Sequence, residues 1–126
     1  MNKIIFDTNF IMTCLKEKVD FLDAEELGEI VLPLQVLDEL KKLSEDKKLS
    51  LKERETASLA LQIIEKNKGQ IKFIEFRTRF VDKGIFNYAV RERGIIVATF
   101  DRELKSKLGE RVEFLIIRGK GKLDLE

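Results

Sequence analysis

Histidine is absent from this 126-residue chain. Its absence excludes Ser-His and Cys-His nucleophilic pairs, an imidazole general base and a His-bound zinc ion. Cysteine occurs once, at Cys14, so neither an internal disulfide nor a thiolate metal cage can form within the chain, and the expected role of Cys14 is that of a small buried apolar residue. A surplus of either charge is also missing: 24 Lys and Arg against 23 Asp and Glu leave +1. Such a balance describes a solvated, salt-bridged surface, and any nucleic-acid binding must come from local patches. No apolar run approaches the roughly 20 residues that span a bilayer, and the N-terminus lacks the pattern of a signal peptide. A soluble, cytoplasmic protein with no membrane association is expected. Catalysis, if there is any, must rest on carboxylates, lysines or a hard cation.

What is present reads as alternating strands and helices in one domain over residues 1–126. Lys3-Ile4-Ile5-Phe6 is an apolar run that stops abruptly at Asp7-Thr8-Asn9, as a buried parallel strand does where a helix begins. Short helical stretches follow from Phe10 and around Asp23 to Leu27. Ile30-Val31-Leu32 reads as a second strand, closed by Pro33 at the first turn of a helix. That helix carries Val36, Leu37, Leu40 and Leu43 at helical spacing and breaks after Glu45-Asp46-Lys47-Lys48. Ser50-Leu51-Lys52-Glu53 has the form of a capping box and opens a second helix that ends near Asn67-Lys68-Gly69, so the two should form a hairpin. Lys72 to Phe76 reads as a third strand, Val81 to Arg93 as a helix, Ile95 to Ala98 as a fourth strand and Val112 to Ile117 as a fifth. The tail predicts a turn into a short edge strand at Leu123-Asp124-Leu125. The pattern implies a three-layer α/β/α sandwich around a central, mostly parallel five-stranded sheet.

Ligands of open parallel sheets bind beyond the carboxyl ends of the strands. Asp7 directly follows the first strand, and Asp101 follows the fourth after Thr99-Phe100. Helical geometry adds two more acids. Glu39 lies roughly 90° from the centre of the apolar stripe of its helix, at the border of the buried face, while Asp38 lies roughly 170° away in solvent. The same arithmetic on Val81, Ile85, Phe86, Tyr88 and Ala89 puts Asp82 about 50° from the apolar centre, where an acid needs partners or a cation. Asp7, Glu39, Asp82 and Asp101 thus come to one edge of the sheet from four separated segments. Gathered like charges raise one another's pKa unless a divalent cation neutralises them, and oxygen donors suit Mg²⁺ or Mn²⁺. Hydrolysis of a phosphodiester with metal-activated water is the chemistry such a cluster supports.

Each acid also has a plainer explanation. Asp7 and Asp101 precede helices and can serve as N-caps, Asp82 favours the helix dipole, and Glu39 can be a boundary residue. Thr8, Asn9 and Thr99 can be cap and turn chemistry or can orient the carboxylates. Among the many cations, Arg79, Lys83 and Arg102 lie nearest the acids and are the candidates for phosphate contacts.

The residues resemble the PIN domain family. Ile4-Ile5-Phe6-Asp7-Thr8-Asn9-Phe10 is similar to the opening strand of those domains, and Val36-Leu37-Asp38-Glu39-Leu40 to their first long helix with its acid. Asp82 followed by Ile85 and Ala89 matches the helix with the third acid, and Val97 to Leu104 the strand and turn that end in Thr-x-Asp. The resemblance covers nearly the whole chain. It implies an Mg²⁺- or Mn²⁺-dependent endoribonuclease with Asp7, Glu39, Asp82 and Asp101 as metal ligands and Asn9 and Thr99 in support. Lys83 departs from the pattern, because many similar proteins carry a second acid after the third aspartate. PIN domains divide mainly between toxins of VapBC-type pairs, which have an antitoxin partner, and nucleases of ribosomal precursor RNA. The bare domain favours the toxin-like role. A non-catalytic RNA- or protein-binding module is a rival, as is phosphoryl transfer through Asp7, although that chemistry is associated with Asp-x-Asp and position 9 is Asn. The helix pair between Pro33 and Asn67 can supply a homodimer interface or serve only as part of its own chain's core, and both readings stay open.

Overall fold

The computed structural model describes residues 1–126. Six strands form one sheet in the order β3-β2-β1-β4-β5-β6. They are β1 (Lys3–Phe6), β2 (Glu29–Pro33), β3 (Ile71–Ile74), β4 (Ile95–Ala98), β5 (Glu113–Arg118) and β6 (Lys122–Leu125). The first five run parallel, and β6 pairs antiparallel with β5. The sheet therefore has one strand more than the five read as its centre, and the extra one is the edge strand expected of the tail. Gly119 and Gly121, both at positive φ, make the tight return between β5 and β6 at conformations that side-chain-bearing residues disfavour.

The helices are α1 (Thr8–Lys16), α2 (Leu34–Glu45), α3 (Leu51–Lys66), α4 (Val81–Arg91) and α5 (Arg102–Leu108). The second short helical stretch is a 3-10 turn, Phe21–Glu26, with Asp20 capping it through Leu22 N–H. Helices α1, α2 and α3 pack together, and α4 packs on α5. This grouping follows from the strand order. The chain moves outward from β1 to β2 and β3, then returns to lay β4 on the other side of β1, and parallel crossovers of one hand then put their helices on opposite faces. The α2–α3 hairpin forms as expected, with Ser50 Oγ accepting from Glu53 N–H at 3.1 Å. Pro33 is the last residue of β2 and the N-cap of α2, one step before the first helical turn. No helix is long and apolar enough to cross a membrane.

A single apolar cluster fills both faces. Ile4, Ile5, Phe6, Ile30, Val31, Leu32, Ile96, Val97 and Ala98 are all buried, as expected of central strands covered on both sides. Cys14 is fully buried within it, and burial pushes its thiol up to about 12. The helix carrying Asp82 needs a correction. Its buried face is Val81, Gly84, Ile85, Tyr88 and Ala89, whereas Phe86 is only half-buried. Replacing Phe86 by Gly84 in the stripe moves the apolar centre, so Asp82 lies roughly 90° from it and is exposed. Gly84 is in the stripe because the Phe76 ring lies directly against its Cα, where a Cβ would collide.

Candidate active site

Strand order reverses between β1 and β4. In the parallel register Phe6 pairs with Ala98, so the next residues of the two strands, Asp7 and Thr99, leave the sheet side by side. Asp7 N–H still donates to Ala98 O at 2.9 Å, which fixes the backbone there before the chain turns into α1. This is the topological switch point, where two loops diverge and leave a crevice.

Asp7 is the hub of the crevice. Its Oδ1 accepts from Thr8 N–H at 2.7 Å, capping α1, and its Oδ2 accepts from the Thr99 hydroxyl at 3.0 Å. Thr99 Oγ1 also accepts from Asp101 N–H at 3.1 Å, so one fully buried hydroxyl joins two of the acids. Asp101 Oδ1 accepts from Glu103 N–H at 2.9 Å and Leu104 N–H at 3.1 Å, capping α5. The buried Thr8 hydroxyl donates to Glu39 Oε1, which ties α2 to the start of α1. The cap explanation thus holds for both Asp7 and Asp101. It does not exhaust them, because a cap bond uses one oxygen and both acids face the same cleft.

That cleft, of about 450 Å³, is lined by Asp7, Thr8, Asn9, Glu39, Arg79, Phe80, Asp82 and Asp101, among others. The four acids expected from sequence are therefore brought together, with Asn9 and Arg79 beside them and Thr99 beneath. Lys83 lines an adjoining groove that Asp82 and Asp101 share. Arg102 lines neither. It follows directly on the Asp101 cap and is exposed on α5.

Burial raises the Asp7 carboxyl above its ordinary value, and the negative charges of Glu39 and Asp101 push the same way. The bonds from Thr99 and Thr8 oppose them, since hydrogen bonds to a carboxylate favour its charged form. An ionised Asp7 is accordingly short of positive charge. The donors around it are all hard oxygens, a set that fits Mg²⁺ or Mn²⁺ and not a soft metal. No three acids converge tightly enough to ligate one ion together.

Two residues, one beside the cleft and one in its wall, escaped the sequence reading. Gln35, on α2, donates from Nε2 to Phe76 O at 3.0 Å and Thr78 O at 3.3 Å, and its Oε1 accepts from Phe76 N–H at 3.2 Å. It clamps the loop that leads into α4. Nothing about an isolated glutamine signals such a role. Phe80, at the end of that loop, is half-exposed at the cleft. Its signal was the order Arg79-Phe80 with Lys83 one turn later, an aromatic between cations.

Known proteins place this arrangement. The family described as "PIN like domain" matches residues 4–120. Ribonuclease VapC4 of Methanocaldococcus jannaschii is 34% identical over 126 residues, covering 95% of this chain and 93% of that protein. The solved structure of the PIN domain endonuclease Utp24 superposes with a TM-score of 0.77 at 22% identity, covering 98% of this chain and 90% of the other, a likeness of fold. By sequence over nearly its whole length, with the strand order and cleft described above, the chain belongs to the PIN-like domain family.

Proposed function

We propose that this chain is a metal-dependent endoribonuclease and the toxin of a VapBC-type toxin–antitoxin pair, with Asp7, Glu39, Asp82 and Asp101 as its catalytic and metal-holding acids. The observation that supports this best is the meeting of four acids from separate segments in one cleft at the switch point. Similarity to a protein named ribonuclease, over nearly the full length of both chains, favours RNA as the substrate and an antitoxin protein as the partner. Such a role is cytoplasmic.

Asp7 and its neighbouring acids would hold Mg²⁺ or Mn²⁺. When bound, such a cation supplies Lewis acidity to the phosphodiester and makes water easier to deprotonate there. The chain's own groups do the rest. Thr99 and Thr8 hold the Asp7 and Glu39 carboxylates in fixed rotamers, so the charge facing the substrate is preorganised. Arg79 and Lys83 offset the repulsion between the acids and the phosphates of RNA. The α2–α3 hairpin exposes Leu34, Leu51 and Leu59 and is the face we assign to self-association, which sedimentation of a Leu59→Asp variant checks.

The test is cleavage of single-stranded and structured RNA by the purified protein in Mg²⁺, Mn²⁺ or EDTA, beside an Asp7→Asn variant of verified fold. Cleavage should require the cation and fall in the variant by at least the roughly 10–100-fold that losing even an outer-shell partner of a metal ligand costs. No cleavage under any condition, with no Mn²⁺ binding by calorimetry, replaces this reading with that of a binding module.

A further inference from the structure

Phe80 occupies a position that neither the core nor the helix explains. It is 49% exposed, so about half of it stays in solvent, and it is the N-cap of α4 without any side-chain cap bond. Phenylalanine is a poor choice at an N-cap, where Ser, Thr, Asp or Asn would satisfy a free N–H. The exposed Phe100 offers a contrast. Its ring stacks on buried Phe10 with centroids 4.8 Å apart, so one of its faces is spent on the core. Phe80 has no aromatic neighbour of this kind. It lines the acid cleft and, together with Gln35, Asp38, Glu39, Lys42 and Arg79, a second groove of about 350 Å³ that continues from it.

Two cations attend the ring. The Arg79 guanidinium lies 5.2 Å from the ring centroid and the Lys83 ammonium 5.1 Å. Neither these nor Lys42 pairs with a carboxylate, although every one of them lines a wall that also carries acids. The loop beneath is stiff. Gln35 holds it through three hydrogen bonds, and Thr78 Oγ1 accepts from Phe80 N–H at 3.2 Å. An exposed aromatic on a clamped loop, with unpaired cations around it and an acid cleft beside it, is the chemistry that receives an unpaired base and its flanking phosphates. A duplex keeps its bases stacked on one another and has none to offer the ring.

We propose that Phe80 is a stacking platform for one unpaired nucleobase, so that the cleft takes single-stranded RNA with that base on the Phe80 ring and its adjacent phosphates on Arg79, Lys83 and Lys42. A base arriving on the ring displaces one cation from it toward the phosphate. The proposal deepens the ribonuclease reading by naming the form of its substrate, and it concerns binding, so it can fail separately from catalysis. An antitoxin segment on the same ring is the competing occupant.

The experiment is stopped-flow binding of single-stranded oligoribonucleotides carrying 2-aminopurine at successive positions, in Mg²⁺ and in EDTA, to the wild type and to Phe80→Ala and Phe80→Trp. Expected is fluorescence quenching at one position, lost in the alanine variant with roughly tenfold weaker binding and retained with tryptophan. Removing the base at that position should weaken the wild type by a similar factor and leave Phe80→Ala unaffected. Equal affinity and an equal quenching profile for wild type and Phe80→Ala overturn the platform, as does a wild type that binds no oligonucleotide. Unchanged RNA binding with loss of a partner protein in Phe80→Ala overturns it in favour of a protein occupant. If the platform is found and Asp7→Asn does not affect cleavage, the base site stands and the catalytic assignment falls.

Discussion

Thr99 is a buried hydroxyl on which two acids depend, since it donates to Asp7 and accepts from the backbone of Asp101. Thr99→Val keeps the shape and removes both bonds, leaving the part-buried Asp101 N–H without this partner, a loss on the order of 1 kcal/mol. Its melting temperature should fall, and the acid limb of its pH–rate profile should move to higher pH, because a hydrogen bond that favoured the Asp7 carboxylate is gone. Thr99→Ser should restore both, a result that mere loss of packing does not give. Asp7 itself predicts a pH dependence of stability. Its pKa in the folded protein is raised above that of a free aspartate, so its contribution is fully present below the free value and is lost as pH rises through the folded pKa. In EDTA, Asp7→Asn should therefore melt above the wild type at pH 7, with the advantage shrinking as the solution is taken down into the ordinary carboxylate range. Thermal melts across that range check it, and an advantage that grows toward acid pH would contradict the sign.

At the scale of elements, α4 is set by one close approach. Gly84 lets the Phe76 ring lie against the helix backbone, and Phe76 is in turn held by Gln35, so the start of α4 and its Asp82 are placed from two sides. Gly84→Ala should cost about 1–3 kcal/mol of stability, the usual range for overpacking, despite the better helix propensity of alanine. Adding Phe76→Leu should recover part of the loss, and denaturant titration of the two single variants and the double measures the coupling. This contact is also where the sequence misled. Periodicity found the helix and its inward Ile85, Tyr88 and Ala89 correctly, but it counted a bulky Phe86 in the buried stripe and could not see that a glycine was buried there. Asp82 was drawn toward the core as a result. The strands were easier to read, because β1, β2 and β4 are covered on both faces and show as unbroken apolar runs. The edge strand β3 is only partly covered, and its bounds shifted from Lys72–Phe76 to Ile71–Ile74.

For the whole molecule, the order of the segments along the chain was enough to bring Asp7 and Asp101 together, since each lies just past the end of a strand that turns out to be central. The cations were less legible. Charge alone does not set Arg79 and Lys83, which attend Phe80, apart from Arg102, which lines neither the cleft nor the adjoining groove, because which cation reaches a cleft depends on the rotation of its helix and the path of its loop. The charge balance bears directly on binding. With a net charge of +1, the surface has no general attraction for a polyanion, and the acids of the cleft repel one. Affinity for single-stranded RNA must then come from the few unpaired cations near Phe80 together with stacking, which salt hardly touches. If Arg79, Lys83 and Lys42 each neutralise one phosphate, the slope of log K against log salt is about −2, since a single strand gives roughly −0.7 per contact. Arg79→Ala should make the slope shallower by about 0.7 and Phe80→Ala should weaken binding without changing it. A much steeper slope would show that phosphates spread over distant surface lysines dominate, and the local cluster would then not be what holds the strand.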